Sequence, residues 1–370
     1  NLTSADPDVN SYERKAFLYN VTAPLLLFGF NVDDGIFIGG GTSFKNYGFR
    51  KRPHAMTTKI SGSVAIKTGA FNFFYESHFI ELIKKWDLNL DLTVLAPNST
   101  TNYFGLGNET IDLKIEEDFN LVRFNGVDFQ PTLSHMFGAF QSIKTGIGYR
   151  YVAVDTAISR FVNDASSGVP DAAFQPNHFG TITLNYTVEK IDKKVIPRRG
   201  YYFSAEAVHN VGLRPGTIPF TNLKAEAKLY IPFNYRFKTV VALRAGGATL
   251  LNDFDFYNAN TLGATKLGTR VGNLRGFQRD RFSGRTIAYQ NAEVRIKLFN
   301  FRSYLFPGQF GVLGYFDQGR VWTDGEKSDV WHQSYGGGFW VSPFNEAVIT
   351  ATYQISDEDK LLNLTLGFLF

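Results

Sequence analysis

The chain has no cysteine and only two methionines among its 370 residues. Without cysteine, neither a disulfide framework nor a thiolate metal site is possible. Nothing in it approaches the ~18 consecutive apolar residues that a transmembrane helix needs. The most apolar short run, Ala23 to Phe30, is interrupted by Pro24 and Gly29, so a helical membrane protein is excluded. A strong charge of one sign is lacking too. The 38 Lys and Arg stand against 34 Asp and Glu, a net charge of +4. They are scattered rather than clustered, so nucleic acid is not an expected partner. No signal peptide opens the chain, and Asn1 is expected to follow a processed leader or a further N-terminal domain.

Aromatic residues and glycine are plentiful, with 36 Phe, 18 Tyr and 35 Gly. Aromatic girdles at membrane interfaces and glycines at strand bends produce such counts. The arrangement agrees, because period-two alternation recurs along the whole chain. From Trp86 to Val94, Leu88, Leu90 and Leu92 alternate with Asp87, Asn89 and Asp91. Lys59 to Lys67 repeats the pattern, as do Thr181 to Glu189 and Asn222 to Leu229. The polar faces carry charge and amide, for example Asn222, Lys224, Glu226 and Lys228. A soluble sandwich buries its apolar face against a second sheet. Faces this polar suit a wide barrel with lipid outside and water inside.

Turn residues divide the chain into sixteen candidate strands: 20–32, 36–48, 57–68, 71–80, 86–97, 120–134, 140–155, 179–190, 200–211, 219–231, 236–249, 285–299, 309–322, 333–342, 346–354 and 361–370. Connections alternate in length. Pro232-Phe233-Asn234-Tyr235 and Pro343-Phe344-Asn345 make tight links at one end, while 98–119, 156–178 and 250–284 make long ones at the other. Outer-membrane barrels combine short periplasmic turns with long external loops, and closure removes open sheet edges. The fold expected is an all-β transmembrane antiparallel barrel over 20–370, with 1–19 as a periplasmic segment. In the last strand Leu362, Leu364, Leu366, Phe368 and Phe370 are expected to share one face, and the sequence closes on an aromatic residue.

Leu274-Arg275-Gly276-Phe277 lies in the longest loop, between the eleventh and twelfth candidate strands. The next two strands carry Asn291-Ala292-Glu293-Val294-Arg295 and Phe316-Asp317-Gln318-Gly319-Arg320-Val321-Trp322. Asp192 followed by Pro197-Arg198-Arg199-Gly200-Tyr201 marks the turn between the eighth and ninth. Together these segments resemble the BamA/TamA/FhaC superfamily of outer-membrane assembly and secretion barrels, over about residues 20–370. The resemblance implies sixteen strands, with the sixth external loop folded into the lumen at the arginine-glycine-aromatic tip. It also implies a weak seam between first and last strands, where Pro24 would fit an edge or bulge. The aromatic C-terminal strand, with Leu364, Leu366, Phe368 and Phe370, resembles the signal by which Gram-negative barrels are recognised for insertion.

The lock has a physical rationale of its own. Arg275 is always charged, and inside a barrel it needs carboxylates to offset desolvation. Glu293 should face the lumen, since Ala292, Val294 and Ile296 hold the opposite face, and Asp317 lies on the neighbouring strand. Arg275 is therefore expected to pair with Asp317 and Glu293, beside Gly276 and Phe277.

No enzyme, cofactor or metal is expected. His54, His78, His135, His178, His209 and His332 show no metal-ligand spacing, and Gly-x-Ser-x-Gly is absent. Gly39-Gly40-Gly41 lies inside a strand, and the acidic pairs Asp33-Asp34 and Glu116-Glu117 read as solvated turns. The leading function is assistance to proteins inserting into or crossing the outer membrane. Its partners would be lipid and lipopolysaccharide, with a polypeptide substrate or other outer-membrane subunits. Family members usually carry POTRA domains before the barrel, and residues 1–19 are too short to supply one. An alternative is therefore the C-terminal anchor or secretion barrel of an N-terminal enzymatic domain. Tyr103-Phe104-Gly105-Leu106-Gly107-Asn108-Glu109-Thr110 resembles segments of esterase-fused relatives and favours it slightly. A passive porin is the other alternative.

Overall fold

The computed structural model describes residues 18–31, 34–48, 51, 53–112, 118–156, 160–164, 167–234, 238–264, 272–304 and 306–370. Residues 1–17 of segment 1–19, together with Asp33, Glu116, Glu117 and Tyr235, lie outside them. Eleven strands come first: β1 (Val21–Asn31), β2 (Gly35–Asn46), β3 (Met56–Ala65), β4 (Phe71–Ile83), β5 (Trp86–Asn102), β6 (Leu121–Phe137), β7 (Gln141–Val154), β8 (Asn177–Ile191), β9 (Gly200–Gly212), β10 (Phe220–Asn234) and β11 (Lys238–Leu251). Two short strands follow, β12 (Asn260–Leu262) and β13 (Phe282–Gly284). The chain ends with β14 (Thr286–Arg302), β15 (Pro307–Trp322), β16 (His332–Pro343), β17 (Ile349–Ser356) and β18 (Lys360–Leu366). All but β12 and β13 form one 16-stranded sheet, each strand hydrogen-bonded to its sequence neighbours. Every pairing is antiparallel, as in the up-and-down barrel the turns predicted.

Burial is inverted relative to a soluble protein. Ile182, Leu184, Phe339, Tyr353 and Leu364 are exposed, while Asn210, Arg244, Asn291, Asp317, Ser334 and Gln354 are buried. Successive residues of a strand point to opposite faces. The apolar set therefore faces outward, to lipid, and the polar set inward. The polar face read from the sequence does line the interior: Asp91, Asn222, Lys224, Glu226 and Lys228 border a cavity of about 770 Å³.

One expectation is corrected. β18 stops at Leu366, and only Leu362, Leu364 and Leu366 face outward. Gly367, at φ +99°, turns the backbone. Phe370 then packs against Tyr230, Val240 and Ala242, and Phe368 against Leu313 and Trp340, all on the inner face. The long 250–284 connection carries a small sheet of its own. β12 and β13 pair within it, Asn260 opposite Gly284 and Leu262 opposite Phe282.

Candidate functional site: the sixth-loop lock

The segment from Asn273 to Arg281 enters the barrel beside β14 to β17, at the long-loop end. Asn273 fixes its entry: the side-chain Oδ1 accepts from Gly263 N at 3.0 Å, and Nδ2 donates to the Thr261 carbonyl at 2.9 Å. Asn291 of β14 donates to the Asn273 carbonyl at 2.9 Å. Leu274 and Phe277 then bury completely among Leu262, Phe282, Ile287 and Val321. Phe282 in turn lies stacked on His332, with ring centres 3.7 Å apart. This apolar plug between the wall and the β12–β13 hairpin excludes water from the charges next to it.

Those charges are the ones expected. Arg275 donates from Nε to Asp317 Oδ2 at 2.7 Å, from Nη2 to Asp317 Oδ1 at 2.8 Å, and from Nη1 to Glu293 Oε2 at 2.5 Å. The two-pronged contact uses the planar fork that lysine lacks. Asp317 and Glu293 are almost wholly inaccessible. Burial acts to push the Arg275 guanidinium down, but Asp317 and Glu293 hold it above its ordinary value, so it stays charged. The guanidinium also lies 3.6 Å from the centre of the Tyr315 ring, a cation–π contact. Gly276, at φ +81°, sends its N–H to Gln354 Oε1 at 2.9 Å and accepts from Ser356 Oγ at 2.7 Å. Arg275, Gly276, Phe277, Glu293 and Asp317 are thus all brought together.

Sequence reasoning missed several members. Tyr315 stands two residues before Asp317 on the same strand face, a signal that period two could have supplied. Arg295 likewise follows Glu293 by two, and its Nε donates to Glu293 Oε1 at 2.6 Å. Gln354 gave no signal, because nothing local says that it reaches a loop 78 residues away. The arginines that follow in the loop were missed as well. Arg279 lies 3.5 Å from Asp34, Arg281 reaches Glu358 at 2.6 Å, and Arg285 reaches Asp324 at 2.5 Å. The sixth loop is therefore tied to three separate parts of the long-loop end.

A second knot involves the glycine-rich 103–110 segment. Asn108 is fully buried. Its N–H donates to Glu326 at 2.7 Å, its Nδ2 to Ser328 Oγ at 2.8 Å and to the Val330 carbonyl at 3.0 Å. Its Oδ1 accepts from Val321 N at 2.9 Å, and its carbonyl from His332 Nε2 at 2.8 Å. At the opposite end, the predicted β8–β9 turn forms as read: Asp192 Oδ1 accepts from Arg198 N at 2.9 Å and Arg199 N at 3.1 Å. Pro24 sits in β1, the first strand of the sheet, opposite Thr42.

The sequence signature of the Omp85 superfamily domain matches residues 58–370. No curated protein sequence matches significantly. Among solved structures, BamA from Haemophilus ducreyi lacking POTRA domains 1–3 superimposes with TM-score 0.65 at 13% identity, over 94% of this chain and 70% of that one. CdiB from Acinetobacter baumannii gives 0.58 at 12% identity, over 94% of this chain and 59% of its own. CdiB from Escherichia coli gives 0.58 at 14%, over 94% and 61%. This chain thus spans less than two thirds of either CdiB structure, and at these identities the likeness is one of fold.

Proposed function

The chain belongs to the Omp85 superfamily, and from that premise we propose that it sits in a bacterial outer membrane and assists polypeptides to insert into or cross it. The observation that carries this reading is the lock. Arg275 holds the sixth loop against Glu293 and Asp317, with every guanidinium nitrogen engaged and the loop knotted to the strands around it. A passive pore gains nothing from holding a loop in its lumen at such a desolvation cost. A barrel that works through its wall gains a stiff support on one side of the sheet, leaving the rest free to open. In this reading Arg275, Gly276, Phe277, Glu293 and Asp317 are structural rather than catalytic. The short turns face the periplasm. Leu364, Leu366, Phe368 and Phe370 form the signal by which this barrel itself is inserted.

The test is reconstitution into liposomes with an unfolded outer-membrane barrel added outside. Faster acquisition of the folded, heat-modifiable form than with empty liposomes is expected, together with small and unsteady conductance in planar bilayers. Large, steady conductance without any acceleration of folding would point to a porin and sink the proposal.

A further inference from the structure

A cavity of about 780 Å³ opens at the short-turn end of the lumen, with Arg295 between it and Glu293 of the lock. Seven of its lining residues are lysine or arginine, and Glu346 is the only acidic one. Lys238 and Lys297 stand directly opposite each other on β11 and β14, and Arg198 reaches in from the β8–β9 turn. Like charges facing across a ladder repel. The barrel tolerates that cost here, and the summed field of the cavity attracts anions.

The floor is apolar, built from Val240, Ile196 and Trp340, and it already holds a peptide. After Gly367 the chain's own backbone turns inward. The Phe368 ring meets Trp340 edge-on, with centres 5.6 Å apart, and the Arg295 guanidinium lies 3.9 Å from the Phe368 centre. Arg295 Nη2 donates to the Phe370 backbone oxygen at 2.5 Å. The Arg295 side chain is only 3% exposed. Its Nη1 nevertheless has no acceptor among the described residues. The site thus grips an aromatic peptide through ring faces and a backbone oxygen, and holds an unused donor.

We propose that this cavity binds an acidic, aromatic-bearing polypeptide segment arriving from the periplasm. Its carboxylates would lie among Lys238, Lys297 and Arg198, and its apolar side chain beside Phe368 and Trp340. The orientation rests on the function proposed above. A lipid headgroup is the less favoured ligand, because the lining residues of β11 and β14 lie on the face opposite the outward Leu243 and Val294. The opening is reached through water, not through the bilayer.

The test uses the purified chain in detergent micelles and a fluorescent octapeptide alternating glutamate and phenylalanine. Binding is expected, weakened about tenfold or more by the double substitution Lys238→Glu/Lys297→Glu and by raising salt toward ~0.5 M. Arg198→Glu, in a turn outside the ladder, should weaken it in the same sense. Heat-modifiable mobility certifies that each variant is folded. Equal binding by a lysine–phenylalanine peptide, or no effect of either set of substitutions, would overturn the proposal. So would displacement by phosphatidylglycerol vesicles at lower concentration than by unlabelled peptide, which would mark a lipid site. Peptide binding as described, with no acceleration of barrel folding in liposomes, keeps the cavity assignment and removes the proposed function. Accelerated folding without peptide binding does the reverse.

Discussion

Arg275 and Asp317, 42 residues apart in sequence, meet in a parallel two-bond contact of 2.7 and 2.8 Å where the carboxylate is entirely inaccessible. Removing the cation would leave Asp317 uncompensated and Glu293 with Arg295 alone. Breaking a buried pair from one side costs about 3–5 kcal/mol. Arg275→Ala should therefore lower the temperature at which the heat-modifiable band is lost and open the sixth loop to added protease. Arg275→Lys should fall between wild type and Arg275→Ala, because an ammonium cannot span both carboxylates in the same fork. Wild-type melting in Arg275→Ala would remove the lock from the account.

Gly276 sits next to that pair at φ +81°, a conformation that β-branched residues avoid. A Cβ there would stand 3.0 Å from Ser334 Cβ. Gly276→Val is expected to displace the tip from Gln354 and Ser356 and to mimic the protease sensitivity of Arg275→Ala with the arginine still present. Limited proteolysis of the two variants side by side checks this. A resistant Gly276→Val would mean that the tip backbone has room to move.

Asn108 ties the third loop to β15, β16 and the 323–331 connection, using both ends of its side chain. Asn108→Ala would strand Val321 N and the Val330 carbonyl, each unmade buried bond costing on the order of 1–3 kcal/mol. Asn108→Asp should be no better, since it sets a carboxylate beside Glu326 and opposite the Val330 carbonyl. Both variants should gain cleavage sites in the long loops while keeping the lock, as read by hydrogen exchange at 274–277. Unchanged loop protection in both would show the knot to be dispensable.

The parts of this architecture that were legible in the sequence are those a local pattern can express. Leu88, Leu90 and Leu92 against Asp87, Asn89 and Asp91 show period two and a polar inner face within one strand. The lock was legible because a buried arginine requires carboxylates, and Glu293 and Asp317 were the ones the family resemblance and strand parity placed inside. Asn108 was not legible. Its side-chain partners lie 213 to 222 residues away, and an asparagine in a glycine-rich stretch reads as a turn. The inward tail was misread for a related reason. Alternation continues through Phe368 and Phe370, so pattern alone extends the last strand, whereas the left-handed backbone at Gly367 ends it.

That glycine offers a clean probe of the tail. A Cβ on Gly367 would meet nothing within 4 Å, so a substitution there acts through backbone strain alone. Holding a β-branched residue at φ +99° costs about 1–3 kcal/mol. Gly367→Val should relieve that strain by straightening the backbone, which withdraws Phe368 from Trp340 and Arg295. Trp340 is one of four tryptophans in the chain, so its exposure to water should appear as a red-shifted, more quenchable fraction of the fluorescence. Trp340→Phe in the same background should abolish that change. The barrel should still fold, because the outward face of Leu362, Leu364 and Leu366 is untouched. If Gly367→Val leaves the Trp340 signal unmoved, the contacts of Phe368 and Phe370 hold the tail inside without help from the turn.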